Sequence, residues 1–175
     1  MAESAGSRHP LVVVMGVSGS GKSTIGAMLA DALGVPFTDA DDLHPASNVA
    51  KMAAGIPLDD ADRWPWLAAV GRALAAAGSS GLVVACSALK HSYRDAIRAE
   101  APTAVFVELD GSRALLAGRM SERVDHFMPA SLLDSQLATL EPLGADEPGT
   151  RIPIDEPLAA IVARARAAVA ARPLG

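Results

Sequence analysis

Short apolar runs punctuate this chain at intervals, and longer stretches of helical spacing fill the gaps between them. Leu11-Val12-Val13-Val14-Met15, Gly81–Cys86 and Ala104–Leu109 are almost continuously apolar, as strands buried on both faces are. Val35-Pro36-Phe37-Thr38 and residues 151–154 read as two shorter strands. Between the strands, the spacing predicts helices over about 22–33, 46–53, 62–77, 91–99, 112–122, 130–139 and 157–171. Gly34 and Gly78 stand where the first and third of these end, and Pro65 is placed in the first turn of the third. Residues 141–150 form a polar loop. Strands alternating with helices predict a three-layer α/β fold around a mainly parallel sheet. One domain over 11–175 is expected behind a flexible tail at 1–10, with no internal repeat and no linker.

Composition narrows the picture. The 175 residues are enough for one full core, and with 50% hydrophobic but only 3% aromatic residues it must be built from Ala, Val, Leu and Ile. A net charge of −5 argues against broad nucleic-acid binding, which needs a basic face, so an anionic ligand must be held by local cations. Only Lys22, Lys51 and Lys90 are lysines, and each lies in a stretch with candidate chemistry. Cys86 is the single cysteine, so no internal disulfide forms, and the N-terminal apolar run is too short for a signal peptide core or a membrane span. A soluble cytoplasmic protein is expected. Cys86 reads as a packed thiol, with no activating histidine nearby in sequence.

The strongest chemical signal is Gly16-Val17-Ser18-Gly19-Ser20-Gly21-Lys22-Ser23, set between the first strand and first helix. This is the pattern of a P-loop, in which glycines let successive N–H groups wrap a phosphate chain at a helix N-terminus. Lys22 would reach the β- and γ-phosphates and the Ser23 hydroxyl would ligate Mg²⁺. Asp39 and Asp41 follow the second strand and, in extended chain, would point to one side, towards the phosphates. One carboxylate could hold the metal's water shell while the other takes a proton from an attacking hydroxyl. A short helix at 46–53 would bring Asn48, Lys51 and Met52 within one turn. Arg119 and Arg123, four apart, share a helical face and are candidates to stabilise transferred charge. The residues alone thus reach a small ATP- or GTP-using phosphotransferase or hydrolase, without its acceptor.

Linked motifs go further. Asp39-x-Asp41 is followed by Leu43-His44-Pro45, then by Asn48-x-x-Lys51-Met52-x-x-Gly55-x-Pro57-Leu58 and Asp60-x-Asp62-Arg63-x-Pro65-Trp66-Leu67. Cys86-Ser87-Ala88-Leu89-Lys90-x-x-Tyr93-Arg94-Asp95, His126-Phe127-Met128-Pro129 and Ser135-Gln136-x-x-Thr139-Leu140-Glu141 complete the set. With these segments, the chain from about 11 to 162 resembles the gluconokinase family, small P-loop kinases of the shikimate-kinase and nucleoside-monophosphate-kinase type. The resemblance implies ATP-dependent phosphorylation of D-gluconate at its 6-hydroxyl, with ATP and Mg²⁺. It also implies five parallel strands, a mobile lid at about 119–130 and a homodimer. Carried over, Lys22, Asp41 and Arg123 are the catalytic set. Gly16, Val17, Ser18, Gly19, Ser20, Gly21, Lys22, Ser23, Thr24 and Arg119 would bind nucleotide, and Ser23 and Asp39 the metal. Asp41, His44, Arg63, Lys90, Arg94 and His126 would face gluconate. Ala40 and Asp125 stand where family members often carry Gly, and Asp125 bears on lid closure.

Two other readings stay open at this stage. One is a kinase for another small molecule, such as shikimate or a nucleotide; the His-Pro and Ser-Ala-Leu-Lys segments argue against it through the resemblance. The other is a nucleotide-binding switch. It is weakened by the lack of an Asn/Thr-Lys-x-Asp segment, since no lysine here precedes x-Asp.

Overall fold

The computed structural model of this chain describes residues 7–122 and 130–174. Its centre is β1 (Leu11–Met15), which is buried along its whole length. Around it, β2 (Phe37–Asp39), β3 (Leu82–Ala85), β4 (Val105–Asp110) and β5 (Gly149–Pro153) complete a five-stranded sheet in the order β2-β3-β1-β4-β5. Every pairing is parallel, with Val13 opposite Val84 on one side and Phe106 on the other. The expected fold class is therefore the observed one.

Both faces of β1 are covered, which is why it reads as an unbroken apolar run. Val12 and Val14 pack with α1 (Lys22–Leu33), α5 (Arg113–Ser121) and α7 (Leu158–Ala170) through Ile25, Leu29, Leu116, Met120, Ile161 and Ala165. Val13 and Met15 pack with α3 (Asp60–Ala77) and α4 (His91–Glu100) through Leu67, Val70, Leu74, Tyr93 and Ile97. Period-two alternation along one strand thus feeds two separate apolar layers. The remaining helices, α2 (Ala46–Ala53) and α6 (Ala130–Thr139), lie in the connections that follow β2 and α5.

The predicted elements all exist, with three differences that have physical causes. The second strand starts at Phe37, after Pro36, and pairs only over Phe37–Asp39. α3 begins at Asp60, because Asp59 and Asp62 form a reciprocal capping box. Pro65 is therefore the sixth helical residue and outside the first turn; its missing N–H falls at an exposed position, where water can serve the Ala61 carbonyl. Finally, the chain is tied down before Leu11: His9 N–H donates to Ser79 O, and Leu82 N–H to Pro10 O. The expected lid lies mostly outside the described residues; Arg119–Ser121 close α5.

α3 and α4 approach closely at Gly71, where an added Cβ would lie 2.7 Å from both the Ile97 carbonyl oxygen and Glu100 Cβ. Neither contact is with a flexible chain end, so the helices would have to separate. Gly71→Ala should lower stability by about 1–3 kcal/mol despite its better helix propensity, read as a lower denaturant midpoint at unchanged slope.

Candidate active site

The carboxyl ends of parallel strands all open at one sheet edge, and the elements leaving β1, β2 and β3 there form the site. After β1 the chain enters the P-loop, where Gly19 and Gly21 take φ of 82° and 90°. A side chain at either position would be strained. The loop is braced from inside: the buried Ser20 hydroxyl donates to Val17 O at 2.7 Å, and Lys22 Nζ to the same carbonyl at 3.1 Å. Gly16 N–H donates to Ser87 O at 3.3 Å, joining the loop to the end of β3. Ser23 and Thr24 stand exposed in the first turn of α1.

Across from that turn, Asp39 ends β2. The Ser23 hydroxyl donates to Asp39 Oδ2 at 2.7 Å, so the two expected metal residues meet. Both offer hard oxygen, which suits Mg²⁺ retaining water and phosphate ligands. Among the described residues no group of three or more His, Cys, Asp or Glu could hold a metal by itself. The second expectation here needs correction. The chain does not stay extended to residue 41; it turns at once into a short 3₁₀ helix, Ala40–Leu43, and Asp39 Oδ1 caps it by accepting from Asp41 N–H at 3.0 Å. Asp41 nonetheless emerges close enough to Asp39, His44 and Lys22 for their charges to act on it. Crowding around the partly open Asp41 carboxyl, and then the charge of Asp39, raise its pKa above the ordinary carboxylate value.

Trp66 holds this turn from below. Its indole Nε1–H donates to Ala40 O at 2.7 Å, and its ring stacks on His44 at 4.3 Å between centroids. Asn48 Nδ2, which can only donate, lies 3.2 Å from His44 Nδ1 and so leaves the imidazole proton on Nε2. Burial, then opposition from Arg63, outweigh the pull of Asp41 and lower the His44 pKa. At neutral pH this ring is an uncharged hydrogen-bonding group. Asn48 itself is buried and also donates to Asp62 O, while Lys51 pairs with Asp62 at 2.8 Å. Lys51 is thus a structural cation.

Arg63 and Lys90 do converge. Both lie over the Tyr93 ring, at 5.7 and 5.4 Å, and both approach Asp60, at 3.6 and 3.7 Å. The Tyr93 hydroxyl donates to Asp60 at 2.5 Å and, ahead of the two cations, holds that carboxyl below the ordinary range. Two cations against one carboxylate leave local positive charge for an anionic ligand. Arg119 reaches the P-loop from α5, donating to Ser20 O at 3.5 Å and Ile154 O at 2.8 Å. Arg123 and His126 lie outside the described residues.

Arg94 is where the expectation of a substrate contact fails. Its side chain is fully buried, and its guanidinium is engaged with Glu147 at 2.5 and 2.8 Å, Ala88 O at 2.8 Å and Glu141 O at 2.9 Å. Burial opposes ionisation of Glu147, but the Arg94 hydrogen bonds and the Gly144 N–H outweigh it and keep the acid charged. This cluster holds Ala88 at φ 44°, a left-handed backbone that costs roughly 1–3 kcal/mol in a residue with a Cβ. Arg94 therefore acts through the shape of Ser87–Lys90. Cys86 lies buried beneath, and burial pushes its thiol up to about 12, as befits packing and not attack.

Sequence reasoning gave no role to Asp60, Trp66, Tyr93, Glu147 or Gln136. The first four act through partners distant in sequence. Gln136 did leave a trace, as the one polar residue among Leu133, Leu137 and Leu140 on the inner stripe of α6.

Comparison with known proteins accords with this geometry. A family model described as an AAA domain matches residues 11–143. A gluconokinase of Gluconobacter oxydans is 51% identical over 150 residues, 84% of each chain. The thermosensitive gluconokinase of Escherichia coli is 45% identical, covering 91% of this chain and 87% of its own. The crystal structure of a gluconokinase from Sinorhizobium meliloti superposes with a TM-score of 0.84 at 52% identity, over 92% of this chain and 91% of the other.

Breaking the buried pair from one side leaves an uncompensated carboxylate. Arg94→Met should cost about 3–5 kcal/mol in chemical denaturation, and Arg94→Met with Glu147→Leu should recover much of that loss. A P-loop whose Ser23 pairs with Asp39, a capped acidic turn beside it and a paired cation cluster agree with relatives alike over most of their length: the chain belongs to the gluconokinase family.

Proposed function

We propose that this protein transfers the γ-phosphoryl group of ATP to the 6-hydroxyl of D-gluconate, releasing 6-phospho-D-gluconate and ADP. The observation that carries this reading is the meeting of three units at one sheet edge. They are the P-loop with its Ser23–Asp39 pair, the capped turn bearing Asp41 and His44, and the Arg63–Lys90 pair over Tyr93. The identity to relatives named gluconokinases supports the acceptor.

In this reading the P-loop amides and Lys22 hold the phosphate chain, with Thr24 and Arg119 beside them. Ser23 and Asp39 would hold Mg²⁺, whose charge offsets that of the β- and γ-phosphates. Arg63 and Lys90 take the gluconate carboxylate, and neutral His44 bonds a hydroxyl. Asp41 accepts the proton of the 6-hydroxyl as its oxygen bonds to phosphorus and the bond to the β-phosphate oxygen breaks. Arg123 steadies the transferred charge and His126 contacts gluconate from a lid that closes over the site. Arg94 sets the backbone under Lys90. The same proposal includes a homodimer in the cytoplasm. No helix among the described residues is long and apolar enough to cross a membrane, and light scattering should give about twice the 17.9 kDa of one chain.

A coupled ADP-release assay over D-gluconate, other sugar acids, shikimate and nucleoside monophosphates should respond strongly to gluconate alone. Turnover with a different acceptor, or ATP binding without turnover, would overturn the assignment. Asp41→Asn should lower kcat by roughly 10²–10⁴-fold while ATP still binds, as measured by titration calorimetry. Because Asp41 works ionised, kcat/KM should fall as pH drops through its raised pKa, above the usual carboxylate range. Asp39→Asn removes the neighbouring charge and should move that acidic limb to lower pH, even in a slower enzyme.

A further inference from the structure

α6 carries an interaction that the reading above does not use. Leu133 is fully buried and Leu137 and Leu140 pack beside it, so residues at this spacing form the inner stripe of the helix. Gln136 occupies the same stripe, and its Oε1 accepts from the P-loop N–H of Ser18 at 2.7 Å. That contact settles the orientation of the carboxamide, since only oxygen can accept there. Amide geometry then puts Nε2 about 2.2 Å from Oε1, hence within about 5 Å of the Ser18 nitrogen. No described residue accepts from Nε2. Nor is Nε2 a buried orphan, because Arg98 Nε is the only buried unpaired side-chain nitrogen or oxygen among the described residues. Among the described residues Nε2 is therefore left without a partner, beside the phosphate loop.

The anchoring of α6 indicates what this donor serves. Arg113 of α5 pairs with Asp134, and the helix ends where Glu141 N–H donates to Leu89 O at 2.7 Å and its carboxylate accepts from His91 N–H. Gln136 thus sits between the P-loop and the segment that carries Lys90, the side on which a phosphoryl group would leave the nucleotide for an acceptor.

We infer that Gln136 is a further residue of the transfer site: Ser18 N–H orients its carboxamide so that Nε2–H donates to the terminal phosphate of the bound nucleotide. The assignment rests on the kinase reading, but not on the identity of the acceptor. A donor of this kind is held in place by the loop before reaction and meets charge that the diphosphate product lacks.

The test uses Gln136→Met, which keeps length and helix propensity, and Gln136→Glu, which keeps the acceptor for Ser18 but replaces the donor with negative charge. Thermal melts establish that each is folded. Binding of ADP and of a non-hydrolysable β,γ-imido ATP analogue, both with Mg²⁺, is then measured by calorimetry, alongside kcat with gluconate. We expect ADP affinity within about twofold of the unsubstituted protein, analogue affinity at least fivefold weaker, and kcat lower by roughly 10- to 100-fold, with Glu at least as impaired as Met. Equal losses for ADP and analogue, meaning that Gln136 only shapes the loop, would overturn the inference. So would kcat within threefold in both variants. If the unsubstituted protein fails to use gluconate, that substrate assignment falls, while the ADP-against-analogue comparison still decides Gln136.

Discussion

The parallel pairing of β1 between β3 and β4 is the constraint on which the rest of this molecule depends. A strand enclosed on both edges and both faces has no freedom to shift, because a slip of one residue would exchange Val12 and Val14 with Val13 and Met15 between two differently shaped apolar layers. With β1 so held, the P-loop starts from a rigid platform. Parallel direction then delivers the ends of β2 and β3, hence Asp39 and Ser87, to the same edge. Chemistry that depends on positioning needs such a platform more than it needs any single side chain.

Around that platform, polar groups do structural work at some cost. Arg94 and Glu147 are buried, and such a pair gains little over an apolar replacement. What it does here is join three segments that no apolar contact would orient: the strained Ala88, the end of α6 at Glu141, and the loop leading to β5. Glu108 adds to the same loop, accepting from Leu143 N–H and pairing with Arg151. The backbone beneath Lys90 is set by this network.

The site reconciles an acidic protein with anionic ligands by separating its charges. Asp39 and Asp41 stand together near Lys22, where under the proposed function a divalent cation and a departing proton would call for negative charge. Arg63 and Lys90 stand apart over Tyr93, with Asp60 taking up only part of their charge. His44, kept neutral by burial, lies between the two regimes. Lys51, though lysine is rare in this chain, belongs to neither, since Asp62 holds it beside the α3 cap.

The fold and the phosphate loop were legible in the chain because their causes are local. Apolar runs buried on both faces mark parallel strands, and the loop's glycines are required by its own backbone. The Asp39–Asp41 spacing was legible as chemistry but not as geometry: extended chain was expected, and a cap formed by Asp39 on its own turn replaced it. Arg94 shows the opposite limit. It lies in a segment rich in polar chemistry, and nothing near it in sequence marks it as buried; Glu147, 53 positions away, decides that. Gln136 lies between these cases. A polar residue on an apolar stripe can be seen in the sequence, but that its oxygen meets Ser18, 118 positions away, follows only from the packing of α6 against the loop. The sequence by itself determined the strands, the phosphate loop and the family, through spacing and backbone requirements. Only the tertiary structure decided which charges face a ligand and which are taken up inside, because that depends on partners brought together by folding.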